Sequence, residues 1–156
     1  MPIAMAAPVL RPFCTLEVEI GQVQALGAGR LGERRIIPIA GGRVSGARLS
    51  GRIIPGGADW QTVGRDGLGI IDARYAIETE DGAVLDYIEQ GFRHGPPEVM
   101  KRLAAGEPVA PEAYYMRASA RLETGHAAYA WVNRMVFVAT GARHAGGVQI
   151  DLYSVE

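Results

Sequence analysis

The stretch GIIDARYAIETEDGAVLDYIEQ, Gly69 to Gln90, decides the fold. Ile71, Ala73, Tyr75 and Ile77 fall in one phase of a two-residue period, with Asp72 and Arg74 in the other. That alternation belongs to a strand with one face packed, because successive side chains of a strand point to opposite sides. Glu80-Asp81-Gly82 then separates Gly69–Thr79 from a second alternating run, Ala83–Gln90. Asp-Gly between two such runs is a strong hairpin signal, since a tight hairpin turn needs a positive φ.

The same pattern continues on both sides. Phe13–Ile20 alternates Cys14, Leu16, Val18 and Ile20 against Thr15, Glu17 and Glu19. Arg35–Ala40 and Arg43–Pro55 are further strand candidates, the second broken by Gly46 and Gly51, and a glycine inside a strand marks a bulge or bend. Ala113–Glu123, Ala128–Thr140 and Val148–Val155 complete the series. One segment departs from it: Pro97–Ala105 has Val99, Met100 and Leu103 at helical spacing, Pro at its start and Gly106 just beyond its end, which predicts a short helix. About eight antiparallel strands without a linker or internal repeat predict one all-β domain over 1–156. Closure into a single antiparallel barrel removes the exposed sheet edges. Residues 1–12 are expected to be a loose N-terminal segment.

Composition narrows the function. Among 156 residues, 16 Lys+Arg against 17 Asp+Glu give a net charge of −1, without the basic footprint of a nucleic-acid binder. Lys101 is the only lysine and sits in the helical stretch, which disfavours Schiff-base chemistry. Cys14 is the single cysteine, so no intrachain disulfide forms and a reducing compartment fits. Met1–Pro12 has no basic start followed by an apolar run, and no window approaches a membrane span. The expectation is a soluble, cytoplasmic protein without membrane partners. The histidines His94, His126 and His144 lack metal-ligand spacing, so neither a metal nor a cofactor is expected. Gly27-Ala28-Gly29-Arg30-Leu31-Gly32 has the letters of a dinucleotide loop, but the strand pattern that follows it, in place of a helix, reads it as a glycine-rich turn. No serine sits in a G-x-S-x-G elbow.

The candidate site residues are polar or aromatic side chains within strand patterns and at a barrel mouth. Asp59 and Trp60, after Gly56-Gly57-Ala58, offer a loop acid and a stacking wall. Asp72 and Arg74 share one face, and Tyr115, Arg117, Ser119 and Arg121 alternate against apolar neighbours. Solvated strand faces carry such residues routinely. His94 stands at the strand-to-helix junction, where it would line a mouth. Tyr129, Trp131, Asn133, Met135 and Phe137 form an aromatic face in which Asn133 is either a satisfied core amide or a donor to a ligand.

Taken together, Ile37-Pro38-Ile39-x-Gly41-Gly42, Gly56-Gly57-Ala58-Asp59-Trp60, Asp81-Gly82-Ala83, Tyr114-Tyr115 and Tyr129-x-Trp131-x-Asn133 resemble the domain of unknown function 3237 family, also called uncharacterised protein family 0311. The likeness runs across essentially the whole chain. It implies a bacterial or fungal single domain with a lipocalin-like or streptavidin-like barrel. The family's aspartate-tryptophan and tryptophan-x-asparagine positions match Asp59-Trp60 and Trp131/Asn133. Val132 stands where the family often has leucine, and no catalytic residue is carried over.

Two functions follow. One is a small-molecule-binding barrel whose lumen takes a hydrophobic or aromatic, optionally anionic, metabolite, with Trp60, Arg74, His94, Arg117, Trp131 and Asn133 as ligand contacts. The other is a cofactor-independent isomerase, cyclase, lyase or lactone hydrolase. There Asp59 or Asp72 would be the base and Tyr115 or Arg117 would stabilise an oxyanion. A structural module with a filled interior is a third reading, and apolar outer faces would favour a homodimer.

Overall fold

The computed structural model describes residues 1–156. Nine strands follow in chain order: β1 Leu10–Ile20, β2 Gln24–Ala28, β3 Glu33–Ser45, β4 Gly51–Val63, β5 Gly69–Thr79, β6 Val84–His94, β7 Tyr115–Glu123, β8 Val136–His144 and β9 Gly147–Val155. All pairings are antiparallel, in the order β1-β9-β8-β7-β6-β5-β4-β3-β2, and β1 also pairs with β3. That last pairing closes eight strands into a barrel and leaves β2 as a flap on β3. Strand β5 has the limits its alternation predicts, and the Asp81-Gly82 turn joins it to β6. Helix α1, Pro97–Ala104, bridges β6 and β7 and buries Leu103. The β1 strand begins at Leu10, and the residues before it carry no regular structure.

Two expectations are corrected. Arg35–Ala40 and Arg43–Pro55 are not separate strands divided at Gly41-Gly42: that pair lies inside β3, and the break comes between Ser45 and Gly51. Ala128–Thr140 is not one strand. Ala127–Arg134 is a 3-10 segment, and β8 starts only at Val136. His126 starts this segment by accepting the Ala128 N–H at Nδ1, 3.2 Å. The turn then packs Val132 and Trp131 onto the end of the barrel, where Trp131 meets Phe13 edge-to-face at 5.4 Å. Alternating apolar residues gain more here by plugging an open end than by extending a strand.

The barrel bends where β3 and β4 both lose register. Pro38 pairs with Ala58 but Gly42 pairs with Ile53, and on the other side Glu19 and Ile20 face Gly41 and Ile39. Gly42 has φ +140°, and a Cβ there would lie 2.1 Å from the Glu17 carbonyl oxygen. Gly57 has φ +76° and would bring a Cβ within 2.2 Å of the Arg74 carbonyl oxygen. Only glycine allows both the conformation and the approach. The bulge in β3 also reverses which side chains point inward. Val44 packs into the core below it, whereas above it Ile37 and Ile39 point inward. Arg35 shares their phase.

Candidate functional site

The inward-facing side chains divide the barrel into two halves. Leu16, Ile53, Ile77, Leu85, Phe137 and Leu152 fill the end plugged by the 3-10 segment, all essentially without solvent contact. Toward the other end, where β6 leads into α1, the lining changes. Asp59, Gln61, Tyr75, Glu89, Arg93 and Arg143 share one cavity with the apolar walls of Ile37, Ile39, Ile71, Met116 and Ile150. Its free space is about 50 Å³, several times the ~10–15 Å³ that a single water needs.

Strand pairing places these groups. Asp59 lies opposite Ala73 and Ile37, and Glu89 lies opposite Ala73 and Ala120, so both carboxyls enter at one level. Alanines beside them leave room for the longer side chains. Asp59 is held from both sides: Oδ1 accepts the Asp72 N–H at 2.9 Å, and Oδ2 accepts Gln61 Nε2–H at 3.2 Å. Gln61 in turn accepts from Arg35 through its carbonyl oxygen, with Nε at 3.0 Å and Nη2 as a second donor. Burial pushes the Asp59 carboxyl above its ordinary range, and the Asp72 and Gln61 donors and Arg93 work against that rise.

Glu89 differs. It is 3% exposed, and its bond is from Tyr87 Oη, which donates to Oε2 at 3.1 Å. Burial raises its pKa to about 7, the Tyr87 donor opposing and the Asp59 charge adding to the rise. Tyr75 stacks obliquely on Tyr87, with ring centroids 4.8 Å apart. Burial and then the Glu89 charge drive both phenols well above their usual range, so both remain protonated donors. Arg93 is pushed down to about 10, first by burial and then by the like charges of Arg35 and Arg143. Two buried polar atoms have no hydrogen-bond partner: Tyr75 Oη and Arg93 Nε. Both residues line this cavity.

Of the residues singled out in the sequence, Asp59 alone lines this lumen. Asp72 and Arg74 point outward, where Arg74 pairs with Asp86 at 2.7 Å and Asp72 accepts from Gln90 at 3.4 Å. Trp60 is 46% exposed on the outer surface. His94, Tyr115 and Arg117 gather on the outside of β6 and β7. There the His94 and Tyr115 rings stack at 4.8 Å and the Arg117 guanidinium lies 5.6 Å from the Tyr115 ring. Trp131 belongs to the plug, with the Arg48 guanidinium 3.9 Å over its ring. Asn133 is a satisfied amide: its oxygen accepts the Thr124 N–H and its nitrogen donates to the Thr124 carbonyl, each at 2.9 Å.

Sequence reading passed over Arg35, Gln61, Tyr75, Glu89, Arg93 and Arg143. A signal existed for two of them. Glu89 and Arg93 continue the phase of Leu85 and Tyr87 in β6, so charged groups enter the face that the apolar residues mark as inward. A charge in the apolar phase of a strand marks a lumen more reliably than a charge in the polar phase.

A family model described as "Protein of unknown function (DUF3237)" matches residues 8–155. A UPF0311 protein of Bradyrhizobium diazoefficiens is 45% identical over 141 residues, spanning 90% of this chain and 92% of its own. The crystal structure of RPA1785 from Rhodopseudomonas palustris, described as a conserved protein of unknown function, superposes with a TM-score of 0.92 at 41% identity. It covers 98% of this chain and 100% of that one. The crystal structure of an enzyme from Penicillium herquei has a TM-score of 0.77 at 19% identity, covering 100% of both chains, and shares the fold. No helix is long and apolar enough to cross a membrane.

Proposed function

The chain belongs to the DUF3237 family of β-barrel proteins, and from that premise we propose that its lumen is a binding site for a small organic anion with an apolar or aromatic frame. The observation that carries the reading is the pair of buried, unpartnered polar atoms, Tyr75 Oη and Arg93 Nε, on one cavity. A buried donor without an acceptor costs about 1–3 kcal/mol, and a ligand oxygen would remove that cost. Charge favours an anion. Arg35, Arg93 and Arg143 repel one another around this cavity, while Asp59 is committed to Asp72 and Gln61. Arginine holds carboxylates through paired N–H donors, and the Ile37, Ile39, Ile71 and Ile150 walls suit an apolar frame.

The test is native mass spectrometry of the purified protein, then calorimetric titration with a panel of aromatic and aliphatic carboxylates. Binding of carboxylates, lost with Arg93→Gln and absent for the matching amides, supports the reading. A full panel without binding overturns it. The second reading, cofactor-independent acid–base catalysis in the same lumen, is favoured by the position of Glu89, a carboxyl buried on the cavity wall whose pKa burial pushes up to about 7. The likeness to a fungal enzyme extends to the fold and adds no reaction.

A further inference from the structure

Three kinds of group meet in the lumen, each suited to a different part of one reaction. Arginines stand toward the mouth. Tyr75 offers an O–H without an acceptor. Glu89 offers a carboxyl bonded by the protein at Oε2, which leaves Oε1 to the cavity. Asp59 lacks that freedom, because both of its oxygens accept from the protein. Arg93 lies four residues along β6 from Glu89, about 13 Å of strand at ~3.3 Å per residue, and both line the one cavity.

We propose that the lumen moves a proton at a carbon beside a carbonyl in an oxo-carboxylate, with Glu89 as the acid–base group. The proposal rests on the anion-binding reading above. The carboxylate sits between Arg93 and Arg143, with the Arg35 charge behind Gln61, and the carbonyl oxygen accepts from Tyr75 Oη. Glu89 Oε1 takes a proton from the neighbouring C–H. The C–H electron pair becomes the C=C bond of the enolate, and the carbonyl π pair moves onto the oxygen that Tyr75 bonds. Protonated Glu89 trades its proton with solvent through the mouth and delivers the solvent-derived one to that carbon, giving exchange; where the substrate carries a conjugated C=C, delivery to the far carbon of the dienolate gives an isomer. Atoms and charge balance without an oxidant, a reductant or a second reactant. The apolar walls exclude water from the enolate, which strengthens the Tyr75 bond to it. Asp59 is a positioning residue, which holds Gln61 and through it Arg35.

Levulinate and 5-oxohexanoate are the probes, because their carboxylate and carbonyl are separated by two and three carbons, and their methyl and methylene protons exchange slowly in neutral D2O. Proton NMR follows loss of those signals, and calorimetry follows binding. The expected result is exchange at least about tenfold above the protein-free rate, the lower edge of what a placed acid–base group supplies. Glu89→Gln keeps the Tyr87 bond and the binding of both acids but abolishes the acceleration. Tyr75→Phe, which leaves Glu89 in place, slows exchange at least about tenfold. Binding without accelerated exchange, or exchange that survives both substitutions, overturns the proposal and leaves the binding site standing. Failure of both acids, together with the whole carboxylate panel, to bind overturns both readings.

Discussion

The two halves of the barrel are made from the same strands, yet they solve opposite problems. In the plugged half Phe137 lies between Phe13 and Trp131, with centroids at 5.1 and 6.2 Å, and every inward position is apolar or, like Ser154, bonded. In the mouth half, two carboxyls and two arginines, Arg93 and Arg143, line the lumen, with Arg35 behind Gln61, and two polar atoms there have no partner. Burial contributes stability at roughly 25 cal/mol per Å² in the first half. In the second it costs free energy wherever a charge loses water without gaining a full set of bonds. Local stability is thus given up at the mouth, where buried polar groups lack a full set of partners.

That contrast can be broken at either end. The largest effect is expected from Phe137→Ala, which empties the plugged half and should cost about 3–5 kcal/mol in chemical denaturation. A loss below about 1 kcal/mol would mean that the plug, not the ring cluster, carries that end. Next comes Glu89. Its pKa is about 7 in the folded chain against an ordinary 4.5, so the native state binds this proton more tightly than the unfolded one. Its contribution to stability is therefore fully present below about pH 4.5 and is lost as pH rises through about 7, a difference of about 3 kcal/mol. Melting temperatures measured from pH 4.5 to 8.5 should fall along that course in the native chain and fall less in Glu89→Gln; parallel curves would remove the group from the account.

A smaller effect is expected at Arg93. Arg93→Gln relieves repulsion from Arg35 and Arg143, so its melting temperature should not fall, while carboxylate affinity drops at least about tenfold, or about 1.4 kcal/mol. A large loss of stability with unchanged affinity would make Arg93 structural. The smallest belongs to the outer wall. Arg74→Gln breaks the surface pair with Asp86, and neither melting temperature nor carboxylate binding should change measurably, as exposed pairs contribute little.

How much of this was legible in the sequence follows from how local each feature is. The β5–β6 hairpin was readable because Ile71 to Ile77 alternate cleanly and Asp81-Gly82 supplies the turn within the same stretch. The helix at Pro97 was readable from its own start and stop residues. The segment from Ala127 was misread because Tyr129, Trp131 and Asn133 alternate like a strand, and only the open end of the distant barrel decides that they form a plug. Asp59 was found as an acid beside a glycine bend. Asp72, Arg74, Tyr115 and Arg117 were drawn from the polar phase, which in a packed barrel is the outer surface. Arg35 could not be assigned a side at all, because its orientation depends on an irregularity five residues away.

The extra residue at Ala40–Gly41 works like a frame shift in the wall of the barrel. Below it the phase is set by Val44 and above it by Ile39, so removing one residue there would rotate the whole upper segment of β3 by half a period. Arg34, Ile36 and Pro38 would then face the lumen, and Arg35, Ile37 and Ile39 would face water. A single codon gained or lost at this place would exchange one set of lining residues for another. The hydrogen-bonded framework below it and the filled end would stay as they are. That is a shorter route to a new lining than replacing its side chains one at a time.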